Sequence, residues 1–176
     1  MRRSPSSAVA AVATLVVGAM ALVGCAGPEE SGPPAARVSA WVSTAGGGAA
    51  IGTVEVDSAN IGNAIAHHSS PAAIKTVCAL LTNDAETAIG NLPTPDSQLT
   101  QELNNAYEKG AAAGDDCFKG AGGDASLLRR SAEERKALLP LLTTALDRIA
   151  SITGRTPSTT TTSPDGSCPD PFSGCN

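Results

Sequence analysis

Aromatic side chains are nearly missing from this 176-residue chain. Trp41, Tyr107, Phe118 and Phe172 are all it has. Four rings cannot build a base-stacking platform or an aromatic-lined pocket. Basic charge is also scarce, with 12 Lys and Arg against 17 Asp and Glu and a net charge of −5. A nucleic-acid binder needs a basic face for phosphate, so no nucleic-acid partner is expected. The length suits one ordinary domain with tails rather than two full domains.

Sequence patterns that carry chemistry are equally thin. His67 and His68 are adjacent, so they point apart and cannot share a metal as an i, i+4 pair does. They read as a helix C-terminus where imidazole meets the dipole. No Glu-x-x-His supports a di-iron site and no Gly-x-Ser-x-Gly elbow supports a serine nucleophile. Gly46-Gly47-Gly48 and Gly120-Ala-Gly-Gly123 lack the Lys-Ser/Thr of a phosphate-binding loop and read as flexible joints. The acidic pairs Asp84/Glu86, Asp115/Asp116 and Glu133/Glu134 fall on expected solvent faces or helix ends. Arg129-Arg130 and Arg135-Lys136, interleaved with Glu133-Glu134, read as a surface laced with ion pairs. No catalytic residue, metal site or cofactor is therefore assigned.

What is present is an export address. Arg2 and Arg3 precede Ala8 to Val23, a run without charge. As a helix it would be about 24 Å long, short of a hydrocarbon core of about 30 Å. The basic start, the length and the small residues at its end fit a secretory signal peptide over residues 1–24.

The run ends in Leu22-Val23-Gly24-Cys25, which resembles the lipobox of bacterial lipoproteins. That resemblance implies a diacylglycerol on the Cys25 thiol, cleavage just before it, and attachment to the extracytoplasmic face of the cell membrane through the acyl chains. Each buried methylene contributes about 0.8 kcal/mol, so two chains hold where one binds reversibly. Cleavage also removes Arg2 and Arg3, leaving 10 basic against 17 acidic residues and a net charge of −7. Such a body gains nothing from anionic lipid and is held by its lipid alone.

Four further cysteines follow: Cys78, Cys117, Cys168 and Cys175. An even number in an exported chain reads as disulfides. Of three possible pairings, Cys78–Cys117 and Cys168–Cys175 are favoured. The first joins two helices of the body. The second closes a small ring in the tail, which Pro and Gly bend.

Between residues 25–36, a tether rich in Pro, Gly and Glu, and residues 155–176, a Thr/Ser/Pro-rich tail open to O-glycosylation, lies a body over residues 37–154. The tether and tail are expected to be disordered. The body is expected to be all-α, a small antiparallel up-and-down bundle of about four helices. Arg37 to Thr44 reads as a short helix stopped by the triple glycine. Ile51, Val54, Ile61 and Ile65 return to one helical face, against a rival strand reading of Ile51 to Val56. Ser70-Pro71 starts the next helix, which Gly90-Asn91 ends as a left-handed cap. Thr94-Pro95-Asp96 starts another, which Gly114 stops. Asp124 caps the last, with Ser131 to Glu134 as a capping box inside it and a kink at Pro140. With a turn at residues 91–96, Cys78 lies level with about residue 109. The Cys78–Cys117 bond then requires the chain after Gly114 to fold back. The body, with its Leu-Pro-Thr-Pro-Asp turn, Tyr107 and Asp-Asp-Cys-Phe, also resembles helical exported proteins of high-GC Gram-positive bacteria, a likeness that supplies no activity.

These readings lead to a non-enzymatic module that presents a helical body to a protein, lipid or envelope polymer. A carrier with a pocket between helices for a lipid or small apolar ligand is the alternative, and an enzyme of unrecognised type the third.

Overall fold

The computed structural model describes residues 32–44 and 46–155, and every regular element among them is a helix. The expected all-α class holds. Cys25, Cys168 and Cys175, with most of the tether and tail, lie outside the described residues. The five helices are α1 (Pro34–Val42), α2 (Gly48–Ala66), α3 (Pro71–Gly90), α4 (Ser97–Gly120) and α5 (Ala125–Thr153).

Local chemistry fixes most of the starts. Pro34 opens α1 where a missing N–H costs nothing, and so brings residues 34–36, read as tether, into the helix. Ser70 accepts a hydrogen bond from the Ala73 N–H at 3.2 Å, with Pro71 in the first turn. Asp96 accepts from the Leu99 N–H at 2.7 Å. Asp124 accepts from Ser126 and Leu127. Each such cap contributes about 1 kcal/mol. The strand alternative for Ile51 to Val56 fails, because α2 carries Ile51, Val54 and Ile61 into the core on a helical repeat. α5 runs unbroken through Pro140.

α4 is the central element, packed along both α3 and α5, while α2 lies on α3 and α1 rests against α5. Leu81, Leu99, Leu103, Tyr107, Leu138 and Ile61 are fully buried. Burying each large aliphatic side chain is worth about 1.5–3 kcal/mol. Small residues set the helix spacing. A Cβ on Gly110 would sit 3.3 Å from the Ala85 methyl, and one on Gly114 would sit 2.8 Å from the Cys78 carbonyl oxygen. Gly114 therefore does not stop α4, as its sequence position suggests. It lets α4 touch the backbone of α3 and continue to Gly120.

Cys78 and Cys117 form the favoured disulfide, with Cα atoms 5.6 Å apart and both side chains fully buried. The chain does not fold back after Gly114 to make it. Cys78 faces Cys117, Thr82 faces Gly114 and Ala85 faces Gly110, so numbers rise along α3 as they fall along α4. That register leaves the first two turns or so of α4 projecting beyond the end of α3. The segment Leu92-Pro93-Thr94-Pro95 spans the overhang. Thr94 anchors it, taking the Asp96 N–H on its hydroxyl and donating its own N–H to the Thr100 hydroxyl at 2.9 Å. Asn91 ends α3 at φ −90°, so the expected left-handed cap is absent there and occurs instead at Gly154, φ +68°.

The triple glycine is a close-packed corner rather than a loose joint. A Cβ on Gly47 would lie 2.1 Å from the Trp41 carbonyl oxygen, which no side chain permits. α1 can turn back over the end of α2 and bury Val38 and Trp41 only because Gly stands there.

Candidate functional site

Two ion pairs among the described residues hold helices together, and one of them draws on the charged runs noted in the sequence. Asp116 is buried, not solvent-facing, and accepts two hydrogen bonds from the Arg130 Nε and Nη2 across α4 and α5. Those bonds hold its carboxyl below the usual range. Asp96 takes the same fork from Arg148, at 2.6 Å from Nε and 2.9 Å from Nη2, and its carboxyl is likewise held low. Lys119 pairs with Asp115 one turn away on the surface. Ser131 makes no capping box. It is fully buried and its hydroxyl donates to the Ala113 carbonyl at 2.7 Å. His67 caps the end of α2 and His68 follows at φ +51°, the helix end expected of them.

Asp84, expected on a solvent face, points its carboxyl at Asp57 of α2. Asp57 is 8% exposed and its Oδ2 has no hydrogen-bond donor among the described residues. Burial, then the Asp84 carboxyl, push Asp57 up to about 6. Sequence reading missed Asp57 because its neighbour Glu55, two residues away and exposed, makes it look like one more acid on the solvent face of α2. Its only signal is an acidic residue on the stripe defined by Val54 and Ile61. The Tyr107 hydroxyl is another buried polar atom without a partner among the described residues, and burial raises its phenol strongly.

Two surface grooves flank this core. The first, about 390 Å³, follows one face of α3 past Lys75, Ala79, Leu80 and Asn83 and ends at Phe118 of α4. Leu80 and Phe118 are 47% and 42% exposed, and the Lys75 ammonium lies 5.4 Å from the Phe118 ring centre. That distance suits a cation–π contact.

The second, about 410 Å³, lies between α2 and α5. Glu55, Ser58 and Ala59 line it from α2, and Ala132, Arg135 and Leu139 from α5, with Lys136 at its side. Arg135 does not join the surface ion pairs its neighbours suggest. Its Nη1 donates to the Ser58 carbonyl at 3.0 Å. Gly62 makes the room, since a Cβ there would lie 3.1 Å from Nη1. The guanidinium is half-buried, which lowers its pKa, and no carboxylate among the described residues pairs with it. Gly62 and Arg135 stand far apart in sequence, so no local pattern announces their meeting.

Among the described residues no group of three or more His, Cys, Asp or Glu is placed to hold a metal ion. No described helix is long and apolar enough to cross a membrane. Neither a protein-family model, nor a curated protein, nor a solved structure matches this chain.

Proposed function

We propose that this protein is a lipoprotein held on the extracytoplasmic face of the cell membrane by acyl chains on Cys25, and that it acts there as a non-enzymatic binding or interaction module. The observation that carries the reading is the order basic start, apolar run, Leu22-Val23-Gly24-Cys25, followed by a folded helical body from Pro34. The chain from Cys25 to Pro34 can span at most about 30 Å, so the α1 end of the body stays close to the bilayer. On this reading α2 to α5, joined by short turns, form the four-helix up-and-down bundle that is presented to a protein, lipid or envelope polymer, with α1 closing the anchored end.

The spending of polar groups supports a binding role over catalysis. Asp96, Asp116, Arg130, Arg148 and Ser131 are taken up in contacts between helices or at their caps. The groove between α2 and α5 favours a second form of the same reading, a carrier for a small ligand lodged between helices.

Metabolic labelling with a fatty-acid probe tests the anchor. The wild-type chain is expected to take up label and partition with membranes. Cys25→Ser is expected to lose the label and leave the membrane fraction. Unlabelled wild-type protein, or a Cys25→Ser variant that fractionates unchanged, would overturn it.

A further inference from the structure

α2 and α5 are neighbours in the bundle that scarcely touch. α2 packs along α3 and α5 along α4, but the seam between α2 and α5 stays open as a groove. The outer sides of these two helices face solvent together. On α2 the exposed positions Gly52, Val56, Ala59 and Asn63 recur at helical spacing. On α5 Leu139 and Leu146 stand seven residues apart on one side. Val56, Leu139 and Leu146 are 57%, 46% and 44% exposed, which puts three of the five large apolar side chains exposed among the described residues on this one face.

Gly52 is the clearest sign that something packs here. Glycine weakens the interior of a helix, and a helix keeps one where a Cβ would strike a neighbour. Gly62, Gly110 and Gly114, the other glycines away from helix ends, each have such a neighbour. Gly52 has nothing within 4 Å, so no contact among the described residues accounts for its missing side chain. Beside Ala59 it leaves a shallow hole on the surface of α2, next to the exposed Leu139 across the groove.

Hole and knob on one face fit a second copy of the same face. Arg135 meets Ser58 and Gly62, and Glu55 lies toward Leu139, so α2 and α5 run antiparallel. A two-fold axis parallel to the helices lays the α2 of each copy on the α5 of the other, with residues of the same level opposed. Leu139 then enters the hole at Gly52 and Ala59 of the second copy, beside Val56. Glu55 comes within reach of Lys136 of the second copy. Neither makes an ion pair with a described residue of its own chain. By symmetry each contact forms twice. α2 has 19 residues and so is about 28 Å long. A face of that length and two helices wide lets a pair bury about 1,100 Å², just above the ~1,000 Å² of a specific association. The same axis keeps both α1 ends on one side, so two copies tethered to one leaflet meet without turning over. An axis across the helices would invert one of them.

We infer that the protein pairs with a second copy of itself through the α2–α5 face, about a two-fold axis parallel to the bundle, with Leu139 over Gly52 and Ala59 and Glu55 on Lys136. This pairing rests on the interaction-module reading and names its partner. None of its contacts involves an acyl chain, so pairing and anchor can fail separately.

Sedimentation velocity of the full-length protein in dodecyl maltoside, over a wide range of concentration, tests the pairing. The wild type is expected to pass reversibly from monomer to dimer and no further, because a two-fold contact closes on itself. Gly52→Leu fills the hole in a place where the chain itself has room, so the fold is kept and dimerisation is expected to weaken at least about tenfold. Glu55 and Lys136 are exposed, so reversing either charge also keeps the fold. Glu55→Lys and Lys136→Glu each set like charges together twice, and each is expected to weaken dimerisation about tenfold. The two changes in one chain are expected to restore it. Leu80→Gln, in the other groove, is expected to leave it unchanged. A chain that stays monomeric at every concentration leaves the face to another occupant, residues 156–176 or a different protein, and overturns the pairing. Full-strength dimerisation of Gly52→Leu puts the contact elsewhere and overturns the face. A double charge reversal that fails to recover overturns the axis. Cys25→Ser is expected to dimerise as the wild type does. A dimer lost in Cys25→Ser, while the wild type takes up fatty-acid label, would remove this pairing and leave the anchor standing.

Discussion

The carboxyl of Asp57, buried on α2, faces that of Asp84, half-buried on α3. Two carboxylates at that range cannot both ionise without penalty, and burial denies them water. The groups that act on Asp57 are Asp84 and, from its own helix, Asn60. Protonation of Asp57 removes one of the two charges and with it the repulsion.

This pair sets the direction of pH dependence. In the unfolded chain Asp57 returns to about 3.8, whereas in the fold it is raised to about 6. Between those values the folded state holds a proton that the unfolded state has lost. Its contribution to stability is therefore complete below about pH 3.8 and is lost as pH rises through about 6. Asp96 and Asp116 act in the opposite sense. Their folded values are lowered, so their contribution is present above the unfolded value and lost as pH falls through the folded one. Stability is expected to peak between about pH 4 and 6. Asp57→Asn is expected to raise stability at pH 7 by on the order of 1–2 kcal/mol and to flatten the slope between pH 5 and 7. Urea titrations at several pH values measure both. A variant that is destabilised at pH 7, with its slope intact, contradicts the pairing.

The close contact of α3 and α4 gives a glycine test with its own control. Gly114→Ala would push a methyl to 2.8 Å from both the Cys78 carbonyl oxygen and the Thr82 nitrogen. Backbone cannot yield as a side chain tip does, so a loss of about 1–3 kcal/mol is expected. Gly52, in the second turn of α2, has nothing within 4 Å of a built Cβ. Gly52→Ala is expected to stabilise by about 0.5–1 kcal/mol through helix propensity alone. Thermal unfolding of the two variants should move in opposite directions.

Much of this fold is legible in the sequence, and the reason is local. Ser70-Pro71, Asp96 and Asp124 announce helix starts because a cap acts within three residues. The apolar repeats of α2 and α3 place Val54, Ile61, Leu81 and Ala85 correctly because one helical face points one way. What escapes is anything decided between helices. Gly114 looks like a stop until α3 is laid against it, and Ser131 looks like a cap until its hydroxyl meets Ala113 on α4. The candidate site is of that second kind. Arg135, Gly62 and Ser58 read as unremarkable surface and helix residues, and only packing makes a groove of them.

The disulfide joins residues 39 apart. Cross-linking a loop of that size restricts the unfolded chain and is worth about 4 kcal/mol in the chain-entropy account. Replacing both cysteines, as Cys78→Ala with Cys117→Ala, is expected to lower unfolding stability by about that amount while leaving helical content unchanged. Both sulfurs are fully buried. Reductant alone is therefore expected to act slowly on the folded protein and quickly once denaturant opens it. Circular dichroism against denaturant, with and without reductant, checks each part.

Asp96 has two tasks, and two substitutions separate them. It caps α4 through Leu99, and it ties the overhanging start of that helix to α5 through Arg148. Asp96→Asn keeps an acceptor for the Leu99 N–H but gives up the charged fork. Asp96→Ala gives up both, and the loss of the cap should cost about a further 1 kcal/mol. The order of stability expected at pH 7 is therefore wild type, then Asn, then Ala. The wild-type advantage over Asn depends on an ionised carboxyl whose folded value is lowered. It should persist at pH 5 and disappear only in strong acid, while the gap between Asn and Ala stays constant throughout. If all three proteins unfold together at pH 7, the overhang of α4 is not held by this residue. The Thr94–Thr100 contacts would then be the next place to cut, with Thr100→Val removing the hydroxyl that accepts from the Thr94 N–H.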